Sequence, residues 1–271
     1  MSLSVTTAVD RAGLSEAYEG KVRFGIGLLG IVAVWFLISV LYPLAVASPL
    51  ETLAEMYDLL VNQTTLVRET LTISLFRIVI GFSVSLILGV ALGLVMGLSP
   101  RNEEYLYVVV LTGMMIPSLS WAMITLVILG LNETAIILAI ILTTTPFITV
   151  TLWEGVKDID RDLFEMAEAF DVTGWSKYRN VIGPQLSPYI FSAARYGLGL
   201  CWKITVIVEL LGASEGVGFQ LNVQFGLFNL EGVFAWTMYL VIIMIFIEYV
   251  IIRAISRRVF KWRDIGDGQW R

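Results

Sequence analysis

The sequence predicts an all-α membrane protein with about six transmembrane helices. Hydrophobic residues make up 57% of its 271 positions, and the mean hydropathy is +0.81, whereas soluble domains are roughly 45–50% apolar. Six apolar runs reach the length of about 20 residues that a helix needs to cross a bilayer. They cover residues 24–47, 70–98, 105–129, 134–155, 189–212 and 233–255.

The first elements are a polar tail and a span that we expect to be retained. Residues 1–23 are polar and mixed in charge, and the apolar run after them lacks a convincing small-residue cleavage site, which argues against a removed signal peptide. Ser48 and Pro49 follow that run and precede apolar residues at helical spacing. This spacing predicts a short amphipathic helix at the membrane surface.

Prolines and glycines predict irregularities in the later elements. Pro117 interrupts the third run and Pro146 the fourth, so we expect bends or breaks there. Residues 213–232 are too apolar for an ordinary exposed loop, and their glycines interrupt them too often for a span. Two interpretations stay open for this segment: a re-entrant element that plugs a pore, and a loosely ordered outer loop.

The distribution of Lys and Arg predicts that both termini face the cytoplasm. With that orientation, 14 of the 18 basic residues lie in the tails and inner loops. Cytoplasmic segments of membrane proteins carry an excess of these residues. We therefore expect cytoplasmic tails at residues 1–23 and 257–271, flanking a transmembrane domain of residues 24–256.

A charged loop, residues 157–184, separates the fourth and fifth runs on the cytoplasmic side. Four acids recur there about one turn apart, and four apolar residues occupy the opposite face of the predicted helix. The acids are Asp162, Glu165, Glu168 and Asp171, and the apolar residues are Leu163, Met166, Ala167 and Phe170. Such a helix either rests on lipid or docks on a protein, and its acidic face favours a protein because anionic lipid would repel it.

The second half of the charged loop predicts a separate short helix. Thr173 can cap this helix, and Gly174 allows a tight bend before it. Pro184 is expected to end it. Pro188 then takes a favoured first-turn position in the fifth membrane helix, behind a cap at Ser187.

Charged residues inside the apolar runs are candidate functional residues, because each costs at least about 2.5–3.5 kcal/mol to insert. Arg195 and Lys203 lie near one face of the fifth run with Gly199 between them. Lys203 could bind an anion, or it could pair with an acid. Glu248 is then a better partner than Glu209, because six residues along one helix place Lys203 and Glu209 on different faces.

For the remaining candidates, a structural role is at least as well supported by the sequence as a functional one. Arg195 is expected to extend to the cytoplasmic interface. Arg77, near the start of the second run, is expected to form a structural ion pair or to extend to the interface as well. Trp121 and Trp202 could line a translocation path, although aromatic residues in membrane helices more often serve packing.

Several kinds of chemistry are not expected in this chain. It contains no His and a single Cys, Cys201, so neither a zinc cluster nor a disulfide framework is predicted. The sequence also lacks the G-x-x-x-x-G-K-[ST] loop that binds nucleotide phosphates. We predict no catalytic residue, no metal site, no cofactor and no nucleic-acid partner.

The charged loop resembles the EAA loop of the permeases of binding-protein-dependent ABC importers. The matching residues are Glu165, Ala167, Gly174 and Pro184, and Pro184 follows Glu165 by 19 residues. Met166, Asp171 and Gly183 depart from the family pattern, in which Ala, Gly and Leu are usual. Asp171 is the departure that bears most on the geometry of the bend.

The resemblance extends over roughly residues 69–258. The segment from Glu69 to Ser99 is similar to the second span of the importer branch for nitrate, bicarbonate, taurine and alkanesulfonates. Ile116 and Pro117 with Trp121, and the segment ELLGASEGVG at 209–218, are similar to the same branch. The Ala-Trp-x-Pro usual there is replaced by Ser-Trp-Ala-Met at 120–123.

The resemblance implies a type I ABC importer permease fold and a set of partners. Two copies of the chain would form the pore, two cytoplasmic ATPase subunits would bind ATP and Mg²⁺, and an extracytoplasmic protein would deliver the substrate. The first helix of the charged loop would be the coupling helix seated on the ATPase. Its contacts would include Glu165, Met166, Ala167, Glu168, Phe170, Asp171 and Gly174.

Three functions stay open at this point. The first is an importer permease in the inner membrane for a small anion such as a sulfonate, taurine, nitrate, bicarbonate or a carboxylate, or for a vitamin precursor. The second is an ion-gradient-driven transporter in which Lys203, Glu209 and Glu248 form a relay. The third is a structural membrane scaffold, which the intramembrane charges disfavour.

Overall fold

The computed structural model describes residues 22–256 apart from 24, 173 and 255, and within this part it is helical and contains no β-strand. The elements are α1 (Gly25–Leu41), α2 (Pro49–Asn62), α3 (Thr64–Gly97), α4 (Pro100–Met115), α5 (Ser118–Leu129), α6 (Glu133–Lys157), α7 (Arg161–Ala169), α8 (Gly174–Lys177), a π-helix (Tyr178–Ile182), α9 (Gly183–Gly212), α10 (Val217–Gly226), α11 (Leu230–Phe246) and a second π-helix (Ile247–Ile252). Apart from residues 22 and 23, the two expected tails lie outside the described residues.

The helices agree with the apolar runs, with differences at the first and third. By length and composition α3, α6 and residues 230–250 can each cross a membrane, and the described part contains five such elements if each of two bent helix pairs counts as one span. α1 is a shorter apolar helix. The chain bends by 93° between α4 and α5 at Pro117, as predicted. Pro146 lies inside α6, which continues through it, so no break occurs there.

The predicted amphipathic helix near the first run is α2. Its N-terminus is a capping box, in which the Ser48 amide donates to Glu51 Oε2 at 2.8 Å and the Glu51 amide donates to Ser48 Oγ at 3.2 Å. Hydrogen bonds to the Glu51 carboxylate from the Ser48 amide, and to a smaller extent from the Ser48 hydroxyl, lower the pKa of Glu51. The buried face packs on α11, where the Tyr239 hydroxyl donates to the Met56 carbonyl at 2.7 Å. The opposite face leaves Leu50, Leu53 and Tyr57 exposed.

A seam of glycines brings α3 and α6 into close contact. The glycines at 81, 89, 93 and 97 repeat at multiples of four, so they share one face of α3. A Cβ on any of them would come within 2.6 Å of a side chain of α6, and the side chains met are Ile140, Ile148, Leu152 and Val156. Small residues at this spacing allow membrane helices to approach closely. α3 and α6 therefore interlock along most of their length.

The charged loop leads into α9 without the break expected at Pro184. A helical path runs from α8 through the π-helix into α9, which begins at Gly183 and contains Pro188 in its interior. Pro188 has no N–H to donate to the carbonyl four residues earlier. Ser187 Oγ supplies that hydrogen bond instead, donating to the Pro184 carbonyl at 2.9 Å. Ser187 thus compensates for the proline and does not cap a new helix; Thr173, the other expected cap, lies outside the described residues.

The glycine-rich segment after α9 forms the short helix α10. Its axis is bent by 50° from the helix before it, and Val217 at its start is fully buried. The interpretation as a loosely ordered loop is therefore wrong. α10 packs between α9 and α11 and contributes Val217 to the main hydrophobic core.

Candidate functional site

A buried ion cluster ties the start of α10 to three longer helices. Its centre is Arg77 of α3, whose side chain is only 2% exposed. The guanidinium makes two hydrogen bonds to Glu133 at the start of α6, one of them from Nε to Oε2 at 2.8 Å. Nη1 donates to Glu209 Oε1 of α9 at 2.8 Å and to the Glu215 carbonyl at 2.8 Å. The expectation of a structural pair at Arg77 is confirmed.

The carboxylate of Glu209 is fully buried and saturated with donors. Besides Arg77, Ser74 Oγ lies 2.8 and 2.9 Å from its two oxygens. The Gly218 amide in the first turn of α10 donates to Oε2 at 2.9 Å, and the Val217 amide donates to Ser74 Oγ at 2.9 Å. The first amides of a helix have no partner within it, and a nearby negative charge is favourable. Glu209 of α9 and Ser74 of α3 therefore cap the N-terminus of α10 with side chains from other helices.

Two glycines of the 209–218 segment are required by this arrangement. Gly216 has φ +106°, and a Cβ there would lie 2.5 Å from the Glu209 carboxylate carbon. A Cβ on Gly218 would lie 2.3 Å from the Val206 carbonyl oxygen. Glycine at positions 216 and 218 thus allows the loop after α9 to fold back against the carboxylate of Glu209.

Ser74 and Glu133 are the members of this cluster that the sequence did not reveal. Ser74 precedes Arg77 by three residues, which places both on one face of α3. Helical spacing could therefore have indicated Ser74 as a neighbour of Arg77. Glu133 begins α6, 56 residues away from Arg77. Nothing local in the sequence indicates that contact.

A second candidate site is an open cleft of about 570 Å³ between α9 and the C-terminal part of α11 with its π-helix. It brings together Arg195, Gly199, Lys203 and Glu248, four of the residues that the sequence singled out. The other lining residues are Ser192, Tyr196, Leu200, Met244, Ile245 and Tyr249.

The ion pairing in this cleft differs from the prediction. Glu248 pairs with Arg195, not with Lys203. Lys203 is exposed and makes no ion pair or hydrogen bond within the described part of the chain. Arg195 sits two helical turns before Lys203 and reaches the acid across the cleft, which leaves the expected partner of Lys203 already occupied. The helical argument against a pair between Lys203 and Glu209 is correct, since Glu209 belongs to the cluster around Arg77.

The two tryptophans take structural positions. Trp202 is 8% exposed and belongs to the main hydrophobic core. Trp121 donates from Nε1 to the Gly113 carbonyl at 3.1 Å, across the bend between α4 and α5. Trp121 therefore stabilises the bend at Pro117, and neither ring lines the cleft.

The third candidate site is the surface of α7 in the charged loop. Leu163, Met166 and Phe170 are exposed, Phe170 by 76%, and Trp175 of α8 is exposed by 77%. We call these four residues the apolar patch. Ala167 on the same helix is buried, and Glu165 is exposed. The side chain of Glu168 lies outside the described residues. The predicted amphipathic helix is present, and its apolar face is largely uncovered.

Asp171, which stands where the importer pattern has glycine, adopts a left-handed backbone conformation. Its φ is +52°, and the next turn begins at Gly174 with φ +59°. The Val172 amide donates to the Ala167 carbonyl at 2.8 Å, which is the hydrogen bond of a Schellman C-terminus. Asp tolerates this conformation better than most residues. The bend is thus preserved despite the substitution.

Hydrogen bonds hold α7 against the membrane helices. Asp160 Oδ1 accepts from the Asp162 amide at 2.9 Å and caps α7, while the Asp160 amide donates to Gln185 Oε1 at 2.9 Å. The Tyr189 hydroxyl donates to Asp158 Oδ2 at 2.8 Å. Because Gln185 and Tyr189 belong to α9, the end of α6, the start of α7 and the start of α9 are linked as one unit.

Comparisons with known proteins agree with this architecture. The family described as "Binding-protein-dependent transport system inner membrane component" matches residues 85–262. The taurine transport system permease protein TauC of Escherichia coli K12 is 26% identical over 89% of this chain and 90% of its own length. The nitrate import permease protein NrtB of Synechocystis is 28% identical over 76% of this chain and 78% of its own.

A solved structure shows the same fold. A chain of the inward-facing MetNI methionine ABC transporter superimposes with a TM-score of 0.60, covering 72% of this chain and 95% of that one at 23% identity. The type I importer permease fold expected from the resemblance is therefore confirmed. Since the family match covers well over half of the sequence, this chain belongs to the binding-protein-dependent transport system inner membrane components and is a transmembrane ABC importer permease.

Proposed function

We propose that this chain forms the pore of an ATP-driven importer as a homodimer, docks on two cytoplasmic ATPase subunits through α7, and transports a small anion inward. The observation that carries the proposal is the exposed apolar patch on an anchored, capped helix. Large apolar side chains presented together in this way mark interaction sites. The acids of the same helix favour a protein groove over an anionic lipid surface.

The anchoring of α7 supports a role in transmitting motion. A helix that follows a partner must pass its displacement to the membrane segments. The hydrogen bond from the amide of Asp160, the N-cap of α7, to Gln185 joins α7 to α9, and the hydrogen bond from Tyr189 to Asp158 joins the end of α6 to α9. Closure of an ATPase dimer beneath two copies of α7 would therefore move the first turns of both α9 helices.

The names of the relatives support the choice of cargo. Taurine and nitrate, named in TauC and NrtB, both carry a negatively charged oxygen-bearing group. Capture of the substrate would fall to a separate binding protein on the outer face. The excess of Lys and Arg in the tails and inner loops supports a cytoplasmic location for both termini in the inner membrane.

The ion-gradient relay has less support. Its proposed members are not brought together, because Glu209 is held by Arg77 and Ser74 while Lys203 lies in the separate cleft. Glu248 is already paired with Arg195. Two of the three groups thus have fixed partners, and a relay requires groups that exchange protons or ions with one another.

Co-purification with a co-expressed ABC ATPase tests the docking surface. Burial of one Phe side chain contributes about 1.5–3 kcal/mol, so Phe170→Ser should weaken binding by about ten- to a hundredfold. Leu44→Ser is the matched control, because Leu44 is 94% exposed outside the charged loop. Mass measurement of the detergent-solubilised complex should give two permease copies and two ATPase copies. Full retention of the ATPase and of ATP-driven uptake by Phe170→Ser would refute docking through α7.

A further inference from the structure

The cleft between α9 and α11 contains one cation that has no acidic partner within the described part of the chain. Three charged residues line the cleft, and two of them, Arg195 and Glu248, neutralise each other. The third is Lys203, which has no polar partner among the described residues. The cleft lining thus carries a net charge of +1. We propose that this cleft binds the transported anion and that Lys203 contacts its oxyanion group directly.

The inference rests on the proposed function, since it assigns the cargo class and the binding position within the permease. An ammonium group without an acid is unfavourable in a membrane segment, and a bound anion offsets that cost. A sulfonate, nitrate or carboxylate supplies the missing partner. A neutral cargo would not offset this cost, because the Lys203 ammonium group would still lack an anionic partner when the cargo is bound.

The face of α9 leaves space for such an anion. Ser192, Tyr196, Gly199 and Lys203 follow one another at steps of four, three and four residues, so they share one face of the helix. The nearest atom to a Cβ built on Gly199 is Met244 Cε at 3.9 Å. The position one turn before Lys203 is therefore open. Tyr196, two turns before Lys203, adds a hydroxyl donor that can reach a small oxyanion held by Lys203, whereas Ser192 lies about 16 Å away along the helix axis, at the far end of the cleft.

The volume is consistent with small cargo. The cleft of about 570 Å³ falls within the range of about 300–1,000 Å³ typical of small-molecule sites. Met244 and Ile245 on the opposite wall can contact a short carbon chain. One ammonium group with one hydroxyl matches a singly charged head group better than a highly charged one.

Thiol modification measures the charge of this cleft without any transport. A Cys201→Ala, Gly199→Cys chain in the assembled complex is treated with an anionic, sulfonate-bearing methanethiosulfonate and with its cationic ammonium counterpart. Cβ atoms one helical turn apart lie about 5–6 Å apart, so loss of the Lys203 charge should lower the ratio of anionic to cationic modification rates about five- to tenfold. Arg68→Met, which removes an exposed cation outside the cleft, is the matched control and should leave the ratio unchanged. An unchanged ratio in Lys203→Met overturns the proposal.

Uptake into proteoliposomes tests the role of Lys203 in transport, with nitrate, bicarbonate, taurine and a short alkanesulfonate as separate probes. For whichever probe the wild-type complex imports, Lys203→Met should lose at least tenfold in uptake, and Lys203→Arg should retain most of it. ATP-driven import at the wild-type rate by Lys203→Met overturns the anion site and leaves the importer function intact. Absence of any ATP-dependent import by the wild-type complex instead refutes the proposed function, and the modification ratio still decides the charge of the cleft.

Discussion

Removal of the Arg77 guanidinium should destabilise the permease more than any other single charge deletion in the buried cluster. Arg77→Met keeps much of the volume of the side chain and removes the charge. Glu209, which is fully buried, then loses its counter-ion and keeps only Ser74 and the Gly218 amide. Breaking a buried pair by removing one partner costs about 3–5 kcal/mol. The folding equilibrium should therefore shift by about two to three and a half powers of ten.

A double-mutant cycle isolates the electrostatic part of this loss. Glu209→Gln removes the charge that Arg77→Met leaves unpaired, so the double variant should recover a large part of the stability lost in Arg77→Met. Glu133 contributes less to the penalty, because its side chain is 60% exposed and water can solvate it. The coupling energy between Arg77 and Glu209 should exceed about 1 kcal/mol.

Reversible unfolding of the purified chain in mixed detergent micelles, followed by tryptophan fluorescence, provides the measurement. The wild type, both single variants and the double variant are compared under one condition. Strictly additive losses would refute the view that Arg77 acts through Glu209. A loss below about 1 kcal/mol in Arg77→Met would refute the view that the cluster stabilises the fold.

Three further predictions concern turns and caps. Gly218→Ala should lower the melting temperature strongly, because its Cβ meets the Val206 carbonyl. Gly226→Ala, at the open end of the same helix, should change it little; equal effects would contradict the close approach. Asp171→Gly should stabilise the bend after α7 by about 1 kcal/mol, because glycine adopts positive φ without strain; a lower melting temperature than the wild type would argue against this. For Glu51, the lowered pKa means that the capping box stabilises α2 above the ordinary carboxyl pKa and is lost as pH falls through the lowered one. The melting temperatures of the wild type and Glu51→Gln should therefore converge at low pH, and a constant difference would exclude the carboxylate as the cause.

The sequence predicted the helices well because each depends on a local signal. Apolar runs of sufficient length exclude other membrane structures, and Pro117 marks the bend between α4 and α5. Pro188 misled the prediction, since a proline in the first turn and one in a helix interior look alike in sequence. The hydrogen bond from Ser187 to the Pro184 carbonyl decided between them, and it depends on a rotamer that no pattern specifies.

The contacts at the candidate sites were predicted less well because they are long-range. Several acids could have paired with Lys203 or Arg77, and the choice depends on how α9 and α11 are rotated about their axes. A rotation of one residue, about 100°, changes which side chains meet across the cleft. Glu248 thus pairs with Arg195, and Glu133 reaches Arg77 from 56 positions away.

The glycine seam between α3 and α6 has a mechanical consequence. With the glycine backbone of α3 packed against α6 side chains from Gly81 to Gly97, over about 24 Å of helix, neither helix can slide or rotate against the other without forcing those side chains into the α3 backbone. α6 begins at the ion cluster and ends at the charged loop 25 residues later, a span of about 37 Å. The pair should therefore move as one stiff unit, with one end at the charged loop and the other at the ion cluster that caps α10. A displacement at the charged loop should therefore reach the start of α10 as a movement of the whole pair, not as a bend within it.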